Sequence, residues 1–314
     1  MPKLKIDETQ KGKRLDHVLT EVMPITRSQI QKYIKSGEVT LNGKPCKVHE
    51  FLEIGDVIFY PKISATTRAK KQNAPDLEVL FENDDLIVVN KPAGLIVHRS
   101  NELDMRPNVA DILLKRNRAM KNVGDSSTIK GQINLRPGIV HRIDKDVSGV
   151  MVVAKTQTMF ENLKQQFQKR TIEKKYLALV YGTVPKDHDI IAFAIARSKR
   201  QGRMVARTGD QTGKEAMTEY DVVERYKNAT LVSIKIHTGR THQIRVHFLA
   251  INHPVMGDRL YHTKNMRHIR EKDFGRIFLH AQSLTVHLAS GKQKTFTAPL
   301  PIELKEILAT FPKT

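Results

Sequence analysis

From Asp76 onward the chain is dominated by short apolar runs: LEVLF, LIVVN, GVMVVA, YLALVY, AMTEYDVV and TLVSIKI. Several alternate at period two, the spacing that puts one face of a strand in a core and the other in water. A sheet with one wet face favours antiparallel pairing. Helical spacing intervenes in places. Phe160, Leu163 and Phe167 fall on one helix face after Thr156, a residue suited to cap it. Residues 241–250 and 301–310 read as short helices. The expectation is an α+β chain, with a mixed, largely antiparallel sheet and peripheral helices rather than a regular βαβ series.

Ahead of these runs, residues 14–60 read as a small module of αα-β layout. Leu15, Val18, Leu19 and Val22 recur at helical spacing. Thr26 is placed to cap a second helix carrying Ile30 and Ile34, and Gly37 to end it. VTLNGKPCKV centres on Asn42-Gly43, a hairpin signal, and Gly55-Asp56 leads into the apolar run 57–60. The expected division is a module over 1–61, a basic linker over 62–75 holding Lys62, Arg68, Lys70 and Lys71, and a larger domain over 76–314.

Composition narrows the partner. The 314 residues hold 53 Lys and Arg against 33 Asp and Glu, a net charge of +20. That excess points to a polyanion, with nucleic acid ahead of a membrane surface. No apolar run is long enough to span a bilayer, and the polar start MPKLKIDETQKGKRL does not read as a secretory leader. Cys46 is the only cysteine, so no intramolecular disulfide forms, which suits a reducing cytoplasm. The 13 histidines include His237, His242 and His247, but there is no HExxH and no zinc knot. No glycine-rich dinucleotide fingerprint or Walker loop is present. The expectation is a protein without metal or cofactor, cytoplasmic and monomeric.

Residues 137–156, PGIVHRIDKDVSGVMVVAKT, carry the strongest chemical signal. A polar turn, 141–146, separates two apolar segments, so charged groups are displayed where a rigid scaffold fixes them. The stretch HRIDKDVSG resembles the active-site segment of the RluA-type pseudouridine synthases, H-R-L-D-[KR]-[DE]-T-[ST]-G. Ile143 stands for Leu, and Val147 removes the hydroxyl of a Thr. The resemblance implies that Asp144 is the nucleophile, and that Arg142, beside His141, fills the space left by a flipped base.

Three further segments resemble the same family in the same order. LIVVNKPAGLIVH (86–98) reads as a buried strand and a turn. It continues here with Arg99, Ser100 and a polar insert holding Arg106, which implies a different rim. In EKKYLALVYG (173–182) the resemblance places Tyr176 against the target base, where a ring can stack and a phenol can assist proton removal. In IKIHTGRTHQIRVHFLA (234–250), His242 and Arg245 are expected on one helix face at i, i+3. The family pairs the arginine at the position of Arg245 with the catalytic aspartate. A desolvated carboxylate needs such a cation to stay charged, and a guanidinium fork fits it. RSKRQGRMVAR (197–207) reads as a basic hairpin, with Lys199, Arg200 and Arg203 near phosphates. His253-Pro254, Gly257-Asp258 and Leu279-His280-Ala281 match family positions as scaffold.

The leading module is similar to the S4-type RNA-binding domain, through RLDHVL, TRSQIQKYIKSGEVTLNGK and GDVI. That likeness places RNA contacts on Arg27, Ser28, Gln29, Lys32 and Lys35. Together the resemblances imply isomerisation of uridine to pseudouridine in structured RNA, ribosomal RNA of the large subunit ahead of transfer RNA. Attack on the ribose or on the uracil ring stays open. A non-catalytic RNA-binding or ribosome-assembly factor would share the charge and the module. The trio Asp144, Tyr176 and Arg245 separates the two readings, because a pure binder has no use for an aspartate in a basic groove.

Overall fold

The structure, a computed structural model, describes residues 1–25, 27–62, 74–101, 104–125, 134–198, 202–207, 212–262, 274–288 and 291–313. Two compact units are present: Met1–Asn73 with Arg99–Arg106, and Ala74–His98 with Pro107–Thr314. Most of the expected linker and the capping position Thr26 lie outside the described residues.

In the first unit, β1 (Lys3–Lys5) pairs antiparallel with β4 (Val57–Phe59), after α1 (Leu15–Val22), α2 (Arg27–Lys35), β2 (Thr40–Leu41) and β3 (Lys44–Pro45). The sheet order is β1-β4-β2-β3. Leu15, Val18 and Leu19 of α1 and Ile30 and Ile34 of α2 close on Ile6, Val39, Leu52 and Ile58. Each such burial contributes about 2 kcal/mol. Asn42 and Gly43 both take positive φ, 52° and 75°, the geometry of a two-residue hairpin turn.

The second unit is built on one nine-stranded sheet. Its elements in chain order are β5 (Glu78–Glu82), β6 (Leu86–Lys91), α3 (Val109–Arg116), β7 (Ser148–Ala154), α4 (Gln157–Lys169) and β8 (Glu173–Tyr181). They continue with β9 (His188–Ile191), β10 (Ala194–Arg197), β11 (Met204–Arg207), β12 (Thr218–Tyr226), β13 (Ala229–Ile236), α5 (Gln243–Ala250), β14 (Leu279–His287), β15 (Gln293–Thr297) and α6 (Ile302–Ala309). The strands run β5-β6-β7-β14-β8-β13-β12-β9, with β15 beside β14; β10 and β11 form a separate hairpin. Among the described strands only β7 and β14 pair in parallel, so the expected α+β, largely antiparallel architecture is the one observed.

β7 is buried along its whole length, and its entry explains Gly149. A Cβ there would lie 2.1 Å from the Ala281 carbonyl oxygen, where β7 meets β14. Thr156 caps α4, its Oγ1 accepting from Met159 N at 3.3 Å. α5 starts one residue later than the shared face of His242 and Arg245 requires. His242 is its cap, in the left-handed region at φ 57°, so His242 and Arg245 meet around a bend and not along a helix face.

Candidate active site

The turn between Val140 and β7 hangs on a buried lysine. Lys91 closes β6, where a charged side chain breaks an otherwise apolar run. Its Nζ donates to the carbonyls of Pro92 (2.9 Å), Leu95 (2.8 Å) and Lys145 (2.9 Å). Burial pushes its ammonium down to about 7, against the pull of Asp146 and Asp144. Three acceptors are what an ammonium, with its three donors, saturates. Gly94 N adds a second bond to the Lys145 carbonyl at 2.9 Å. The backbone beside Asp144 is thereby pinned from below.

Asp144 lines an open cleft of about 580 Å³ with Arg142, Tyr176, Arg240, His242 and Arg245. Arg245 Nη1 donates to Asp144 Oδ2 at 3.1 Å. The Asp144 side chain keeps 19% of its surface exposed, against 9% for Arg245. The guanidinium is otherwise occupied by Asp258: Nε donates to Oδ2 at 2.6 Å and Nη2 to Oδ1 at 2.8 Å. Burial opposes the Arg245 charge, but Asp258 and Asp144 outweigh it and hold its pKa above the ordinary value.

His242 completes the wall. Its Nε2 lies 3.9 Å from Asp144 Oδ2, and its Nδ1 lies 2.9 Å from the Tyr261 hydroxyl. Tyr261 also accepts from Met204 N at 3.2 Å, so its own hydrogen is available to Nδ1. Burial lowers the His242 pKa although Asp144 raises it, which favours the neutral ring. Tyr176 sits mid-sheet in β8, opposite Ile234 and Ala281. Burial, then the Asp144 charge, push its phenol well above the ordinary range. The hydroxyl therefore stays protonated, and a phenolate base is disfavoured at neutral pH.

The other expected site residues divide. Arg142 is exposed and lines the cleft. His141 is placed differently from the expectation that it contacts RNA. Its Nε2 accepts from Val152 N at 3.0 Å and its ring stacks on Phe167 at 4.7 Å. Burial, with Lys174 nearby, pushes it down to about 3, so it is a neutral anchor of the turn. Arg203 stands in the turn of the β10–β11 hairpin, donates to the Leu260 carbonyl and lies over the Tyr261 ring at 5.4 Å. Lys199 and Arg200 lie outside the described residues.

In the first unit, Lys32 and Lys35 are exposed on α2. Arg27 is engaged instead: Nε and Nη2 reach the buried Asp16 at 2.9 and 3.0 Å. Sequence reasoning took Asp258 as scaffold and Lys91 as part of a turn. The signal for Lys91 was a lysine inside a run that is otherwise buried. Asp258 gave none beyond its place after Gly257. Among the described residues no cluster of three or more His, Cys, Asp or Glu could hold a metal. None of the described helices is long and apolar enough to cross a membrane.

This geometry has relatives. Residues 85–250 match the family described as RNA pseudouridylate synthase, and residues 13–58 match the S4 domain. The uncharacterized RNA pseudouridine synthase YlyB of Bacillus subtilis is 35% identical over 308 residues, covering 98% of this chain and 96% of that protein. The ribosomal large subunit pseudouridine synthase D of Xylella fastidiosa is 36% identical over 309 residues, covering 95% and 88%. The structure of human RNA pseudouridylate synthase domain containing 4 shares the fold at TM-score 0.57 and 22% identity, covering 74% of this chain and 92% of that one. An aspartate held by an arginine in an open cleft thus sits in a chain that belongs to the RNA pseudouridylate synthase family and is an RNA pseudouridine synthase with an S4 domain ahead of its catalytic segment.

Proposed function

We propose that this enzyme isomerises uridine in large-subunit ribosomal RNA, with Asp144 as the nucleophile on a base flipped out of the helix. Support for the substrate comes from relatives named as ribosomal large subunit synthases and from the S4 domain. The observation that carries the chemistry is Asp144 itself, with one oxygen held 3.1 Å from Arg245 and the side chain open to the cleft. Residues 1–61 then serve as the RNA-gripping domain through Lys32 and Lys35, and residues 76–314 as the catalytic domain. The protein acts as a cytoplasmic monomer.

The reaction is an isomerisation. The N1–C1′ bond breaks, the uracil turns, and a C5–C1′ bond forms. C5 loses a proton and N1 gains one, so the atoms balance without redox chemistry. Asp144 forms the transient covalent link, and Arg245 holds its carboxyl group in place until it does. Arg142 enters the space that the base leaves; extrusion costs a few kcal/mol. Tyr176 offers its ring to the base.

The test is Asp144→Asn. Its RNA affinity is expected to match the parent while product disappears. Product is read by carbodiimide-dependent primer stops on ribosomal RNA. Pseudouridine formed at the parent rate removes Asp144 from the role. Mapping pseudouridines in RNA from cells lacking the protein tests the substrate, which fails if large-subunit RNA is unchanged.

A further inference from the structure

A second cavity, of about 780 Å³, opens in the larger unit among residues that the reaction does not use. Tyr220 of β12 lines it and is only 3% exposed. Its ring packs on Phe248 at 5.5 Å. Burial, then Asp189, push the phenol above its ordinary value, so the hydroxyl keeps its hydrogen. Among the described residues no hydrogen bond reaches that hydroxyl. A buried hydroxyl of this kind costs free energy until water or a ligand meets it. His253 offers a second atom. Its Nδ1 donates to the Tyr181 carbonyl at 2.8 Å, which leaves Nε2 for an occupant. The walls are otherwise mainly apolar, with Phe193 set edge-on to His247 at 6.3 Å and Ile190, Ile191 and Ile251 around it. The charged pair in the lining, Lys186 and Asp189, is closed on itself at 2.8 Å. Aromatic and aliphatic walls, a donor, an acceptor and no spare charge suit a flat neutral heterocycle and not a phosphate or carboxylate.

The cavity shares a face with the cleft. Tyr176, Ile234 and Tyr220 stand opposite one another on β8, β13 and β12, so their side chains leave the sheet on one side. Two strand spacings, about 10 Å, separate β8 from β12. The helix α5 runs between the two openings: His242 at its start lines the cleft, and Ile251 at its end lines the cavity. We propose that the cavity receives a second unpaired base of the RNA substrate, held among Phe193, Tyr220 and His253. Seating that base fixes the register of the RNA, and so selects the uridine that enters the cleft. The assignment rests on RNA as the substrate, and not on the class of RNA or on Asp144 as the nucleophile.

Ala192, exposed in the lining, allows the cavity to be filled: Ala192→Trp puts an indole in the place of the base. Tyr220→Phe removes the unpartnered hydroxyl alone. Total RNA from cells lacking the protein is the probe, since it holds the target uridine whichever RNA carries it. With full-length enzyme in excess, carbodiimide-dependent primer stops give the single-turnover rate at saturation and the half-saturating enzyme concentration. Half-saturation should rise about 30-fold for Ala192→Trp and about 5-fold for Tyr220→Phe, with saturated rates within about 3-fold of the parent. Ultraviolet crosslinking should place a nucleotide on the Phe193 or Tyr220 peptide of the parent and not of Ala192→Trp. Unmoved half-saturation overturns the proposal, and so does a loss confined to the saturated rate, the mark of a cavity that only supports α5. Free uridine and adenosine are irradiated in parallel; labelling by them with none by RNA overturns the assignment to RNA. Should Ala192→Trp melt below the assay temperature, Tyr220→Phe carries the test, because a hydroxyl without a partner is removed at little cost to the fold. Product from Asp144→Asn, or product confined to transfer RNA, unseats the proposed function and leaves half-saturation and crosslinking to decide the cavity.

Discussion

Asp16 in the first unit and Asp144 in the second are both carboxylates met by arginine, and they differ in closure. Asp16 is ringed by Arg14, Arg27 and Gln31 and has no exposed side-chain surface. Asp144 has Arg245 at one oxygen and a cleft beside it. A closed ring satisfies every lone pair, and its energy goes into holding α1 against α2. An open side leaves a carboxyl oxygen able to meet a substrate. The same pair of residue types is therefore closed off in one unit and, in the proposed function, left open for chemistry in the other.

The sharpest way to break this contrast is to neutralise each aspartate in turn. Asp144→Asn should lower the single-turnover rate by about 10⁴-fold or more. Its melting temperature should stay within about 2 °C of the parent, because a partly exposed amide at the cleft wall can turn to water and Arg245 keeps Asp258. If the variant were instead strongly destabilised, Asp144 would be a structural group like Asp16.

Asp16→Asn should do the reverse. Removing one partner of a buried pair leaves Arg14 and Arg27 without their counter-charge, at a cost of about 3 kcal/mol. Amide hydrogens of α1 and α2, such as those of Leu19 and Ile30, should then exchange roughly 100-fold faster. The single-turnover rate at saturating RNA should hold within about 3-fold. Unchanged exchange would mean that the ring is a surface ornament.

A smaller effect follows from acid. Burial opposes the Asp16 charge, yet the hydrogen bonds from Arg27, Arg14 and Gln31 win and hold the carboxyl down at about 2. In the unfolded chain the same group titrates near 3.9. The folded value lies below the unfolded one, so its stabilisation is complete above about pH 4 and is lost as pH falls through 2. The depth is about 2 kcal/mol. Protection of the α1 amides, corrected for intrinsic exchange, should show this fall in the parent and lack it in Asp16→Asn. Parallel curves would remove the ring as the cause.

How much of this was legible in the sequence depends on how local each signal is. The strands β6, β7 and β13 announce themselves by β-branched residues, β8 by its apolar run YLALVY, and Asn42-Gly43 by its turn chemistry. β14 does not, although it lies at the centre of the sheet. Its first residues, Leu279, His280 and Ala281, are all buried, and a register shift between Ala281 and Ser283 interrupts the alternation. Asp144 and Arg245 were found through motifs 101 residues apart that the fold brings together. The partners Asp16 and Asp258 escaped, because nothing in RLDHVL or GDRLY says that a carboxylate points inward. Nor does the spacing of α2 reveal that Arg27, placed on RNA by the resemblance, also closes over Asp16.

Tyr176 carries the mildest prediction and tests how far the openness of the cleft extends. It is 9% exposed, lines the cleft beside Asp144, and its phenol is held protonated by burial and by that neighbouring charge. Such a hydroxyl is a poor acceptor for the C5 proton at neutral pH, so the ring must supply most of its value, as a surface for the base. Tyr176→Phe keeps that surface. It should lower the rate by only about 5-fold, with the alkaline side of the rate–pH profile unmoved, whereas Tyr176→Ala should cost about 100-fold. A Phe variant as inactive as Asp144→Asn would place the proton transfer on the phenol. The reacting groups would then include one that is nearly as enclosed as Asp16, and closure would no longer divide the structural carboxylate from the reactive one.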